Sequence, residues 1–215
     1  APERGTPRFW FTDLLVDGGK VGASADRMFG PVLWAQYTLS GGIMKMTAQM
    51  PPVGSDESRE VELQIQEGGA WGTIGTTEID DLARTARFRI PDWDDSQDVP
   101  YRLIYPLKYQ DGQVQEYHYE GTVRRDPVDK ETIVMGALSC QTDFCFPHAQ
   151  VAAGVRHHNP DVLAFTGDQF YESSGGYGVV RDAEAPISLS SVDYLRKWYM
   201  HGWSFGDLMR DRPTI

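Results

Sequence analysis

Length, composition and charge exclude several classes of protein for this chain. Its 215 residues, 40% of them apolar, are enough for one large folded domain or two small ones, so a disordered chain is not expected. The net charge of −11 argues against nucleic-acid binding, and no run approaches the roughly 18 uninterrupted apolar residues of a membrane-spanning helix.

The first half of the chain has the pattern of short antiparallel strands. Apolar and polar residues alternate in 61–66, 86–90 and 101–109, which is the period of a strand with one buried face. Asp111-Gly112 predicts a hairpin between strands at 101–110 and 115–123, because glycine accepts the positive φ of a tight turn. About seven such strands predict an antiparallel β-sandwich similar to fibronectin type III or immunoglobulin domains.

The character of the sequence changes near residues 124–129, a polar stretch that contains Pro127 and is typical of a domain boundary. We therefore expect a β-sandwich domain over residues 1–128 and a partial α/β domain over 129–215. Residues 132–138 form a nearly continuous apolar run, which predicts a strand buried on both faces.

A helix and a second strand are predicted after this run. Pro147 suits the first turn of a helix that ends by Asn159-Pro160. Residues 161–166, with the apolar centre Val162-Leu163-Ala164-Phe165, predict a second buried strand, so the order strand, helix, strand predicts two parallel strands joined by a crossover helix.

Three further segments complete the chain. A loop is predicted at 173–178, then a helix over about 190–201 that Ser190 or Ser191 caps, and residues 213–215 suggest the opening of another buried strand. Because two parallel strands with covering helices do not make a complete α/β domain, we expect these residues to belong to a longer protein.

Two loops follow the carboxyl ends of the predicted parallel strands, where α/β proteins bind ligands. Cys140 lies in the first loop, and Asp168 and Tyr171 lie in the second. If the strands are neighbours in register, a thiolate and a carboxylate lie within reach of one cation, and Tyr171 can add a phenolate. This donor set suits a transition metal, and the phenolate favours ferric iron over magnesium. Singly, each residue more often has a structural role, but their joint placement favours a site.

Ser139-Cys140-Gln141, a helix and a strand, and then Gly167-Asp168-Gln169-Phe170-Tyr171-Glu172 resemble the alkaline phosphatase D branch of the metallophosphoesterases. That family also has a β-sandwich before its catalytic domain. The resemblance implies that Cys140, Asp168 and Tyr171 bind ferric iron (Fe³⁺), and that Asp168, the catalytic residue, bridges to a second divalent cation, often calcium (Ca²⁺).

The activity that this resemblance implies is hydrolysis of phosphate mono- or diesters, small or polymeric, by a metal-activated water. It also implies a secreted or periplasmic protein. The family's further Asn, Asp and His ligands lie downstream of the tyrosine, and no Gly-Asn-His motif occurs between Glu172 and Ile215, so we expect an incomplete site in these 215 residues.

Several alternatives stay open. Pairing of Cys140 with Cys145 would remove the thiolate, although their short separation and the family likeness favour free thiols. The chain is alternatively a non-enzymatic extracellular adhesion or binding module built on the sandwich, or a phosphatase-like scaffold without metal. His148 is a weaker candidate near Cys140, His157-His158 suit a solvated helix end, and the acidic residues 92–98 suit a solvated loop better than a calcium site.

Overall fold

Seven antiparallel strands form the first part of the structure, a computed structural model that describes residues 15–20, 30–109, 111–171 and 183–215. They make a three-stranded sheet in the order β1-β2-β5 and a four-stranded sheet in the order β4-β3-β6-β7. This β-rich arrangement fits the predicted sandwich. The strands are β1 (Trp34–Ser40), β2 (Ile43–Gln49), β3 (Glu60–Glu67), β4 (Ala70–Glu78), β5 (Thr85–Ile90), β6 (Val99–Lys108) and β7 (Val114–Val123).

The alternation in the sequence determines which face of each strand is buried. Leu63 in β3 lies opposite Leu103 in β6, and both side chains are fully buried, whereas the neighbouring Glu62 and Arg102 are partly exposed. Side chains from both sheets meet in one apolar core, which is the main stabilising contact of a sandwich.

The predicted hairpin at Asp111-Gly112 is confirmed. Tyr109 N donates to Gln113 O at 2.8 Å, Gly112 N donates to Tyr109 O at 2.9 Å, and Gly112 has φ 84°. The first strand of the hairpin ends at Lys108, opposite Val114. Gln110, the last residue of the predicted strand, lies outside the described residues.

The predicted order of strand, helix and strand is also confirmed. It consists of β8 (Met135–Leu138), α1 (Ala149–His158) and β9 (Val162–Phe165), with a short 3-10 helix between β8 and α1. Strands β8 and β9 pair in parallel, with Leu138 opposite Phe165. Their carboxyl ends therefore lie at the same edge of the sheet.

The prediction that residues 132–138 form a strand buried on both faces is wrong. The strand begins only at Met135, and Ile133, Val134 and Met135 are 41–55% exposed. Gly136 faces α1, where an added Cβ would lie 3.3 Å from Val155 Cγ1, whereas Met135 points to the opposite, exposed face. An apolar run alone does not show whether a second layer covers its outer face.

Helix α1 begins two residues after Pro147, which was predicted to lie in its first turn. Pro147 precedes the helix, which begins at Ala149 with His148 as its N-cap residue, so the prediction that Pro147 lies in the first turn is wrong. The predicted end is confirmed, because Asn159 adopts a left-handed conformation with φ 43° after the last helical residue and Pro160 follows.

Helix α2 (Ile187–Met209) is longer at both ends than predicted. It begins after Pro186, so the prediction that Ser190 or Ser191 caps it is wrong. It continues past His201, and Gly202 lies against Trp34 of β1, where a Cβ would come within 2.1 Å of the indole ring. The absence of a side chain at 202 therefore serves packing and does not end the helix.

Residues 213–215 pair with two strands at once, as the predicted strand opening suggested. Leu163 N donates to Pro213 O and Ile215 N donates to Leu163 O, each at 2.9 Å, while Thr214 N donates to Tyr37 O at 2.8 Å. This segment therefore joins β9 to β1.

A second apolar cluster packs beneath this junction. It contains residues from β1, β8, β9 and both helices, and the division at residue 128 stays a prediction. The buried members of the cluster are Trp34, Leu138, Ala152, Leu163, Phe205, Leu208 and Met209.

Within the part of the chain that the structure describes, neither helix has the length and apolar character needed to cross a membrane.

Candidate metal centre

Three potential metal ligands converge where β8 and β9 end. The Cys140 thiol lies 3.8 Å from Asp168 Oδ2, and the Tyr171 hydroxyl donates a hydrogen bond to the same carboxylate oxygen at 3.0 Å. Cys140 and Asp168 are exposed and Tyr171 is partly exposed. The structure thus brings together all three residues that the sequence singled out.

Backbone hydrogen bonds hold the two loops in register beyond the ends of the strands. Cys140 N donates to Gly167 O at 3.3 Å, and Gln141 N donates to Asp168 O at 2.9 Å. These bonds continue the parallel pairing of β8 with β9, so main-chain contacts hold Cys140 and Asp168 on neighbouring segments.

Both loop residues have an unusual backbone conformation. Cys140 has φ 60° and Asp168 has φ 50°, in the left-handed region. This conformation costs a residue with a Cβ about 1–2 kcal/mol, and such residues occur often at functional sites. Aspartate tolerates the region better than most residues, whereas cysteine gains no such relief. The surrounding hydrogen bonds must stabilise both conformations.

The electrostatics of the site favour a cation. The hydrogen bond with Cys140, followed by the hydrogen bond with Asp168, raises the pKa of the Tyr171 phenol above its ordinary value, and nearby negative charge adds to the effect. A bound cation would offset the effect of this negative charge on the Tyr171 phenol.

The three side chains, if deprotonated, offer donor types that a transition metal binds. A thiolate, a carboxylate and a phenolate provide the charge and ligand types of a transition-metal site. Cys140 and Cys145 are both free and exposed, so the alternative disulfide is not formed. A group of three His, Cys, Asp or Glu side chains suited to a metal is not found among the residues that the structure describes, and this centre includes only two of those types together with a tyrosine.

A small cavity of about 20 Å³ lies behind the three ligands, between the two loops and α2. Gln141, Gln169, Tyr171 and His201 contribute to its walls, together with His148, whose ring stacks on Phe205 at 5.5 Å. The sequence suggested His148 but not His201 or the two glutamines. Each glutamine immediately follows a proposed ligand in the sequence, and this position could have indicated that both lie at the site.

The other candidate residues are not brought to this site. His157 and His158 are exposed in the last turn of α1. In the acidic loop, Asp94 Oδ1 accepts hydrogen bonds from both the backbone and the hydroxyl of Ser96, as expected of a solvated turn. The loop predicted at 173–178 and Glu172 lie outside the described residues.

Two comparisons with known proteins found no similar protein. No protein-family model matches the chain, and a search of the curated proteins finds no match.

Proposed function

We propose that this chain is part of a metal-dependent phosphoester hydrolase with a dinuclear centre of the alkaline phosphatase D type. The observation that carries the proposal is the convergence of Cys140, Asp168 and Tyr171 at the carboxyl ends of two parallel strands. Ligand sites of α/β proteins occur at this position.

The three side chains share one role in the proposal, and Asp168 has a second. Cys140, Asp168 and Tyr171 hold ferric iron, and Asp168 also contacts a divalent cation, proposed to be calcium. When bound, the two cations supply a water of lowered pKa and neutralise charge on the phosphoryl oxygens. The backbone bonds from Cys140 and Gln141 keep the two loops in position for these ligands.

The finer parts of the proposal rest on the family resemblance. They are a metallophosphoesterase-type α/β domain that includes β8, α1 and β9, a location outside the cytoplasm, and further ligands from other parts of the protein. The substrate class is a phosphate mono- or diester. The net charge of −11 disfavours a long nucleic acid among such substrates.

Metal content and visible absorbance test this proposal in the protein expressed at its natural length. We expect stoichiometric iron and a tyrosinate band in the wild type, loss of iron in Asp168→Ala, and loss of the band in Tyr171→Phe. Cys145→Ala, which removes the neighbouring exposed thiol, is the matched control and should retain both signals. A folded wild type that stays colourless and free of metal would contradict the proposal.

A second candidate, the non-enzymatic binding module, is supported by a different feature. An apolar cleft of about 520 Å³ lies between the sandwich and α2, lined by Leu82, Tyr194, Leu195 and Trp198 among others. Its volume is within the range of small-molecule sites, roughly 300–1,000 Å³. In this case Asp168→Ala would leave ligand binding intact, whereas the hydrolase proposal requires that it abolish activity.

A further inference from the structure

The cavity behind the proposed ligands has the size and the polar lining of a site for one water molecule. Its volume of about 20 Å³ exceeds the roughly 10–15 Å³ that one water requires. It lies between the Cys140 and Asp168 loops and α2, so a molecule bound there would contact all three.

The two glutamines that follow the proposed ligands extend toward this cavity. Gln141 is only 8% exposed, and its Oε1 atom is buried with no hydrogen-bond partner among the described residues. Gln169 is anchored by its own side chain, whose Nε2 donates to Phe165 O at 3.2 Å. Each loop therefore presents a ligand to solvent and a glutamine to the interior.

His201 forms the opposite wall and is held in one orientation. The side chain is 5% exposed, its ring stacks on Trp198 with centroids 4.8 Å apart, and Phe165 packs edge-on at the same distance. The imidazole hydrogen-bonds to the backbone of Gln169, next to Asp168, while its buried Nδ1 meets no partner in the part of the chain that the structure describes.

The two unpaired atoms require the same kind of partner. If Nε2 donates to the Gln169 carbonyl, Nδ1 of the neutral ring is an acceptor, and Gln141 Oε1 is an acceptor as well. Burial lowers the pKa of His201 to about 4, which keeps the ring neutral near pH 7. A buried acceptor without a hydrogen bond costs about 1–3 kcal/mol, and one water has two hydrogens to donate.

We propose that this cavity binds one water molecule that donates hydrogen bonds to Gln141 Oε1 and His201 Nδ1. His201 thereby acts as a positioning residue. Through the Gln169 backbone and the water on Gln141, it holds the loops of Asp168 and Cys140 against α2. The water site is independent of the proposed function. Only its effect on metal binding rests on that function.

A high-resolution crystal structure of the metal-free protein tests the water site directly. We expect electron density for a water within hydrogen-bond distance of both Gln141 Oε1 and His201 Nδ1. In His201→Phe, which keeps an aromatic ring against Trp198, the water should be lost. A dry cavity in the wild type, or a water that contacts neither acceptor, would overturn the proposal.

Amide hydrogen exchange tests the positioning role without metal. Residues 139–142 and 166–171 should exchange faster in His201→Phe and in Gln141→Met than in the wild type. His157→Phe, which replaces an exposed histidine on α1, is the control and should leave these amides unchanged. Unchanged exchange in both cavity variants would overturn the positioning role, and Gln141→Met keeps the test valid if His201→Phe does not fold.

Ferric iron titration separates this inference from the proposed function. If the wild type binds iron, each cavity variant should bind it about 10–100-fold more weakly. The double variant should lose less than the product of the single effects, because both changes remove the same water. Wild-type affinity in the variants would contradict the positioning role and leave the hydrolase proposal intact. A wild type that binds no iron would contradict the hydrolase proposal, and the metal-free measurements would still decide the water site.

Discussion

Trp34 at the start of β1 and Gly202 in the middle of α2 are in direct contact, with no space for a side chain at position 202. A Cβ there would lie 2.1 Å from Trp34 Cε3, closer than two carbon atoms can approach. The contact brings α2 onto the sandwich. It also sets the position of His201, the residue before this glycine.

Gly202→Ala should therefore destabilise the protein, although alanine is the better helix former. The clash with the buried Trp34 ring should cost about 1–3 kcal/mol or more, as for other overpacked sites. Chemical denaturation measures the free energy of unfolding. Gly154→Ala in α1 is the matched control, since a Cβ there meets nothing within 4 Å, and it should stabilise by about 0.5–1 kcal/mol. Equal effects of the two substitutions would exclude the proposed packing role.

Gln49→Leu should also be strongly destabilising. Gln49 is 2% exposed, and its Nε2 lies within hydrogen-bond distance of three backbone carbonyls, including Ala83 O and Arg84 O at 3.0 Å. Its Oε1 accepts from Trp198 Nε1 at 3.0 Å. Leucine satisfies none of these groups, so we expect a loss of about 2–4 kcal/mol. The exposed Gln113 offers a control, because Gln113→Leu should change the free energy of unfolding by less than about 0.5 kcal/mol.

The stability of the protein should decrease as the pH falls from 6.5 toward 4. Burial lowers the pKa of His201 from its ordinary value of 6.5 to about 4, and the charge of His148 acts in the same direction. The unfolded state therefore binds a proton in this interval that the folded state does not, and the lost stability is about 3 kcal/mol. The contribution is fully present above pH 6.5. Denaturation at a series of pH values should show this decrease.

His201→Phe should flatten the stability profile in this interval, while His157→Phe, at an exposed position, should not. Aspartates with lowered pKa, such as Asp80 beneath the backbone amides of Ala83 and Leu82, lose their stabilisation at still lower pH, and they do so in both variants. An identical slope between pH 4 and 6.5 in the wild type and His201→Phe would show that another group titrates there.

Ferric iron should raise the melting temperature through Cys140 but not through Cys145. A ligand at 100 times its Kd stabilises the folded state by about 2.7 kcal/mol. Both thiols are free and exposed, but only Cys140 lies beside Asp168. Cys140→Ala should therefore abolish the increase, and Cys145→Ala should preserve it. Scanning calorimetry with and without iron makes the comparison. Loss of the increase in both variants would indicate nonspecific binding to thiols.

The sandwich could be predicted because several of its strands, such as β3 and β6, have one buried face. Alternation in 61–66 or 101–109 directly reflects contact with the core, and Asp111-Gly112 specifies its own turn. The run at 132–138 gave no such information. Its outer face is exposed. The residues that would cover a strand come from distant parts of the chain, so the sequence of the strand alone does not predict whether that face is buried.

The positions of the proposed ligands could be predicted from the sequence, but those of the residues that support them could not. Parallel neighbouring strands necessarily bring the ends of β8 and β9 together, which places Cys140 near Asp168. In contrast, His201 resembles any core-facing residue of a helix, and Gly202 resembles a helix end. The reason for Gly202 is its contact with Trp34, and the neighbours of His201 come from loops that only the folded structure brings to it.

The pairing of residues 213–215 with both β1 and β9 has a consequence for the order of assembly during synthesis. Tyr37 is translated early, whereas Thr214, which donates to its carbonyl, is translated after nearly all of the other described residues. Contacts of such long sequence separation form slowly. The sandwich strands can pair as soon as they are translated, but the strand that leads to Asp168 gains its second backbone neighbour only after residues 213–215 have been made.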